Sequence, residues 1–529
     1  MTLADSNTLE SEKKSTSGEL ACSHSLESYL QRIREALPTV DRTLRDHGDK
    51  TIAQYLETQN VFSATSFQPR DDLAEVVYNY AKPLLGEEVA REAASELLAN
   101  PVVLTANHHG VDYFAQSVQG TLIFSLRKIN GKQAKTVPVF ACGNVPLDNL
   151  TYPRGVLLYP PSISLNQKVP FKAPIYSNKY RRETVSAVRS ISGDMLLQFT
   201  KRIGKESSIS KPAEIADLVI DAYSVSTGSD SYSQQATQVN SILWSKIIKR
   251  TREKTNLVYL ELEKIASRLV CLDLENTESL LVRLLFSEPH RIALEHALDQ
   301  EKSCWNIAEL SKRLTMTSEG HFKQSGTFMF WGVDERKRRI PLLPVEEDGK
   351  CILSGRSDSG ERWDIELTVS AIAEAIQNER LIPSVFTSFL VITLARGVTA
   401  LGGYYQADYL PKMKRAVEVV FQNCNDSVAI PSKVDGYLSG MQPVLATNNF
   451  GLYPTGPVEL INDGGIDTNW MNNVSVKDAH MGSLHETLED VLPNSFLPQF
   501  RDDIAEQLFK NLRNDLVITG LYSSTERNC

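Results

Sequence analysis

The sequence predicts a mixed α/β or α+β fold: a strand–helix core, large helical segments, and a second strand-containing region. Three observations predict it. Two short β-branched runs, Val102-Val103-Leu104-Thr105 and Val137 with Val139, Phe140 and Ala141, stop abruptly at polar residues. Residues 71–98 and much of 180–315 instead repeat apolar side chains at three- and four-residue steps. Residues 320–430 then return to strand-like runs such as GTFMFWGV at 326–333.

In order, residues 1–24 are rich in Ser, Thr, Glu and Lys and read as a disordered tail. Residues 25–100 read as a helical N-terminal layer. A first helix carries Leu26, Leu30, Ile33 and Leu37, and others are expected over 41–59 and 71–98, with Gly86 breaking the last. Residues 101–179 form the α/β segment, and the many prolines after 137 mark a loop-rich surface. Residues 180–319 read as mainly helical, over 181–203, 213–223, 234–254 and 257–272. Residues 320–529 read as a mixed α+β region that can pack with 101–179 as one composite domain. There, 326–333 and 350–354 read as strands and 340–345 as an edge strand, because Pro341 and Pro344 lack an N–H. Glu346-Glu347-Asp348-Gly349 reads as a hairpin turn. Helices are expected over 368–377, 383–401 and 499–512.

The bulk numbers exclude some function classes. The chain has 529 residues, 42% hydrophobic and 23% charged, an ordinary globular composition. A net charge of −9 lacks the basic footprint of a general nucleic-acid binder. Seven scattered cysteines without a CxxC suggest neither a disulfide framework nor a zinc knuckle, and fit reduced thiols in a cytoplasmic protein. The apolar stretch 381–395 is too short to span a bilayer, so no transmembrane segment is expected.

Candidate chemistry gathers where the two apolar runs end, the usual ligand position of α/β folds. Asn107-His108-His109-Gly110-Val111-Asp112 follows the first run. With a helix starting near His108, Asp112 would lie on the same face and hold one imidazole nitrogen, leaving the other as a base. His109 or Asn107 would position substrate or an oxyanion. Cys142-Gly143-Asn144 follows the second run, with Cys142 a candidate nucleophile and Asn144 a candidate substrate contact. Arg154, between Pro153 and Gly155, could bind an anionic group. Arg396, Gln406 and Tyr409, around Gly402-Gly403, could line a pocket. No metal site is assigned: HExxH is absent, and His480 and His485 are five apart.

The strand–His108-xxx-Asp112 layout resembles the HxxxD motif of plant-type acyltransferases. It is also similar to the HHxxxD of peptide-synthetase condensation domains and to the NHxxxxD block of glycerolipid acyltransferases. His109 to Asp112 is one residue shorter than the second pattern, and His108 to Asp112 one shorter than the third. Neither DFGWG nor FPEGTR follows, and the likeness covers a handful of residues, so the chain is assigned to none of these families. The resemblance implies acyl transfer with a histidine base and an acyl-thioester donor; the sequence itself requires no cofactor. The expectation is thus a transferase acting on a small molecule with an anionic group. Its rivals are a hydrolase, metal-dependent or using Cys142, and a non-enzymatic helical binding protein.

Overall fold

The structure, a computed structural model, describes residues 31, 35, 37–59, 71–160, 162–164, 168–226, 228–249, 255–315, 325–431, 433–448 and 451–483. The expected tail at 1–24, the helix around Leu26 to Ile33 and the helix over 499–512 lie outside them.

The fold is mixed α/β, as its periodicities require. The strands that matter here are β1 Val102–Leu104, β2 Thr136–Ala141, β3 Asn256–Glu261, β4 Phe330–Val333, β5 Arg339–Glu347, β6 Lys350–Arg356, β7 Arg362–Glu366, β8 Leu381–Pro383, β9 Thr399–Gly403 and β10 Asp435–Ser439. The helices are α1 Asp71–Leu85, α2 Glu87–Ala99, α3 Ala115–Phe124, α4 Tyr232–Ile247, α5 Leu262–Leu274 and α6 Gln406–Asn423. Five strands make a wholly parallel sheet in the order β10-β9-β1-β2-β3. The other five make an antiparallel sheet in the order β7-β6-β5-β4-β8.

The middle of the parallel sheet is buried on both faces, which is why β1, most of β2 and the LVYL of β3 read as apolar runs. Val103, Phe140, Val258, Leu260 and Ala400 face one core with α1, α2 and α5. Val102, Leu104, Val137, Val139 and Leu401 face the other with α3 and the end of α4. The antiparallel sheet joins the first core through Phe330, Ile340, Leu342 and Leu353.

Several expected elements differ. The helix expected over 257–272 is β3 followed by α5. A continuously apolar LVYL segment suits a fully buried strand and a buried helix equally, and pairing with all of β2 decides it. The helix expected over 383–401 is broken into β8, a short α-turn, a π-turn at Leu390–Leu394 and β9. Residues 181–192, expected as helix, are turns before a helix at Gly193–Ile203. The segment over 41–59 divides into helices at Pro38–His47 and Ile52–Gln59. β5 is an interior strand, not an edge. β4 pairs with 339–341 and β6 with 342–347, so no stretch of β5 is paired on both sides and each proline has an open side for its missing N–H. The Asp348-Gly349 turn is as expected, both residues having positive φ.

Candidate functional site

The strand order fixes where a ligand can sit. From β1 the chain moves outward through β2 to β3, whereas β9 lies on the other side of β1 and leads away to β10. The crevice beyond the carboxyl ends of β1 and β9 is therefore a topological switch point. A cavity of about 940 Å³ opens there, lined by Thr105, Ala106 and His108 after β1, Cys142 and Asn144 after β2, and Gly403 to Gln406 after β9. The antiparallel sheet closes its far side with Trp331 and Arg339.

Backbone pairing runs on past the ends of β1 and β2. His109 N–H donates to Cys142 O at 2.7 Å and Cys142 N–H to Asn107 O at 2.8 Å, so His108 and Cys142 are cross-strand neighbours. On the other side, Thr105 N–H donates to Leu401 O, and Gln406 Nε2–H to Thr105 Oγ1 at 2.6 Å. These bonds hold the histidine loop between two strands.

The residues after His108 do not form a helix. Gly110 has φ +124°, and the next helix begins only at Ala115. Asp112 consequently does not sit one turn above His108. Its carboxylate accepts from Asn107 Nδ2 at 3.0 Å, from Phe114 N–H at 3.2 Å and from Tyr259 OH at 3.5 Å. It borders a separate void of about 20 Å³ beside Thr121 and Asn240, room for a water. Burial pushes its pKa up to about 7, the three hydrogen bonds opposing.

Asn149 takes the place foreseen for Asp112. His108 Nδ1 lies 2.8 Å from Asn149 Oδ1. The same oxygen accepts from the Thr151 backbone N–H at 3.2 Å, which fixes it as the oxygen of the amide. His108 Nδ1 must then carry the hydrogen, and Nε2 keeps its lone pair. Nε2 has no hydrogen-bond partner among the described residues and is not walled off. Burial, opposed by the Asn149 bond and aided by the charge of Arg339, lowers the His108 pKa and favours this neutral form.

His109 faces away from the cavity. It is fully buried, its Nε2 within 3.1 Å of Ser233 O and 3.0 Å of Ser233 Oγ, and its ring stacks on Tyr259. Asn107 is likewise buried, bonded to Asp112 and Thr121. Cys142 is in the cavity wall, but its thiol donates to Glu263 Oε1 at 3.1 Å. Burial, then the Glu263 carboxylate, push that thiol well above its ordinary pKa, the reverse of what a nucleophilic thiolate needs. Glu263 also accepts from the N–H groups of Gly143 at 2.6 Å and Asn144 at 3.2 Å, so it organises the whole turn after β2.

Of the expected substrate contacts, Asn144, Gln406 and Tyr409 line the cavity. Arg154 does not: its guanidinium donates to Tyr176 O and Asn178 Oδ1 beside the hairpin of Gly155–Leu158 and Phe171–Pro174. Arg396 is a buried structural cation, forked between Asp72 and Asp273 and bonded to Val391 O.

Asn149, Glu263 and Arg339 were not singled out by sequence. Asn149 had a signal, lying two residues before a Thr in a Tyr-Pro-containing turn. Glu263 was hidden by the misread strand β3. Arg339 ends the run Asp-Glu-Arg-Lys-Arg-Arg at 334–339, which resembles a solvated loop until β5 turns its last member inward.

Among the described residues, no group of three or more His, Cys, Asp and Glu side chains is placed to hold a metal ion, and no helix is long and apolar enough to cross a membrane. No protein-family model, no curated protein and no solved structure matches the chain.

Proposed function

We propose that the protein is an enzyme of acyl or related group transfer in which His108 is the general base. The observation that carries this reading is the His108–Asn149 contact: with Nδ1–H donated to the Asn149 amide oxygen, the imidazole presents an unprotonated, unpartnered Nε2 at a cavity large enough for a small-molecule substrate. In the step this arrangement suits, Nε2 takes the proton of an acceptor alcohol or amine as the acceptor's oxygen or nitrogen bonds to the acyl carbon of a thioester. As the carbon–sulfur bond breaks, the imidazolium returns that proton to the departing thiolate. Asn149 is a positioning residue in this scheme, the part the sequence had assigned to Asp112. With water as acceptor the same base gives hydrolysis. The bonding of the Cys142 thiol to Glu263 argues against a cysteine nucleophile.

The test is thiol release from a panel of acyl-thioesters offered with alcohol and amine acceptors. Turnover by the wild-type chain that His108→Gln abolishes, with unfolding temperature unchanged, supports the reading. Turnover unaffected by His108→Gln, or none with any pair, refutes it and favours a binding protein.

A further inference from the structure

We infer that the cavity takes a ligand bearing an oxyanion, a carboxylate or phosphoryl group, which Arg339 grips against the wall formed by Trp331. This names the substrate class of the cavity proposed above and rests on that reading of it. The charge census of the lining leads there. Its charged side chains are Glu301, Lys302 and Arg339. Glu301 is paired with Lys412 at 3.5 Å, and Lys302 is solvent-exposed beside the Tyr405 ring. Arg339 is the cation of the interior.

Its guanidinium is held but not neutralised. One terminal nitrogen, Nη1, donates to Asn144 O, and the guanidinium carbon stands 4.4 Å from the centre of the Trp331 ring. Nε and Nη2 have no hydrogen-bond partner among the described residues, and neither is walled off. No carboxylate among the described residues lies within ion-pair distance. Burial lowers the Arg339 pKa, opposed first by Cys142 and then by the Glu263 carboxylate, which is itself already taken by Gly143 N–H, Asn144 N–H and the Cys142 thiol. A largely desolvated cation without a counter-ion is costly to the fold. An oxyanion supplied by a ligand relieves that cost. The geometry is suited to it: the guanidinium sits over the Trp331 ring, and its adjacent Nε–H and Nη2–H groups match two oxygens of a carboxylate or phosphate. Tyr405 and Tyr409, both partly exposed in the lining, supply an aromatic surface for the rest of the molecule.

Isothermal titration calorimetry on the full chain tests this with three probes: benzoate, inorganic phosphate, and benzamide as the uncharged analogue. The expected result is saturable binding of at least one anion, not of benzamide, weakened about tenfold or more by Arg339→Gln. Benzoate alone identifies the carboxylate source, phosphate alone the phosphoryl source. Where Arg339→Gln does not fold, Arg339→Lys decides, since it keeps the charge but loses the fork and should still weaken binding severalfold. Anion binding unchanged in the arginine variants, or absent from the wild type, overturns the inference. Anion binding that depends on Arg339, in a protein whose thioester turnover ignores His108, leaves the inference standing while the catalytic reading fails.

Discussion

The sharpest consequence of the His108–Asn149 pair concerns the basicity of the ring, and it can be measured without a substrate. Asn149→Asp replaces the amide oxygen 2.8 Å from His108 Nδ1 by a carboxylate. An opposite charge at that range raises a histidine pKa by about 1–3 units, worth about 1.4–4 kcal/mol in favour of the imidazolium. Asn149→Ala acts the other way, because the lost hydrogen bond is what opposes burial in the wild type. The expected order of His108 pKa values is therefore Asn149→Ala below wild type, wild type below 6.5, and Asn149→Asp highest. The assay is an NMR pH titration of the His108 ring in the full chain, assigned by its loss in His108→Gln. The linked stability should follow the same order. In the wild type the unfolded chain takes the proton first, so this group subtracts stability as pH falls through 6.5 towards its folded pKa. In Asn149→Asp that loss shrinks, and a folded value above 6.5 turns it into stability at low pH that is lost as pH rises through that value. Thioester turnover at neutral pH should fall in Asn149→Asp and recover at higher pH, where Nε2 is again free. A His108 pKa that Asn149→Asp leaves unmoved or lowers would refute both the contact and the tautomer argument.

Other outcomes follow from the same geometry. Arg396→Leu strips the counter-ion from the buried Asp273, while Asp72, partly exposed, can rehydrate; a loss of about 3–5 kcal/mol is expected in denaturant melts, largely recovered by adding Asp273→Asn, with anion binding in the cavity unchanged. His480, buried against Tyr437 OH, has its pKa lowered by burial to about 4, so it should cost about 3 kcal/mol of stability as pH falls from 6.5 to 4; His480→Gln should flatten that part of the stability–pH curve. Gly110→Ala puts a Cβ 2.6 Å from Pro153 Cβ at φ +124°, and should lower stability by about 2 kcal/mol or more and shift the His108 ring resonances; an unperturbed variant would show that the loop is not held as described.

The sequence by itself determined the local features that short-range physics dictates. Gly86 breaks α1 from α2, Asp348-Gly349 turns the β5–β6 hairpin, and Thr368 caps the helix at Val369–Gln377 by accepting from Ala371 N–H. It also pointed to the candidate site, because the inner strands of a parallel sheet covered on both faces are mostly apolar and reactive side chains gather past their ends, after Leu104 and Ala141. What only the tertiary structure decided were the partners. A uniformly apolar segment such as Leu257 to Leu260 carries no period to separate strand from helix, so pairing with β2 chose the strand and with it the position of Glu263. Asn149 reaches His108 across 41 residues and Arg339 reaches Asn144 across 195, distances at which spacing in the chain carries no geometric information. Asp112, four residues from His108, looked the natural partner only on the assumption of a helix that Gly110 does not allow.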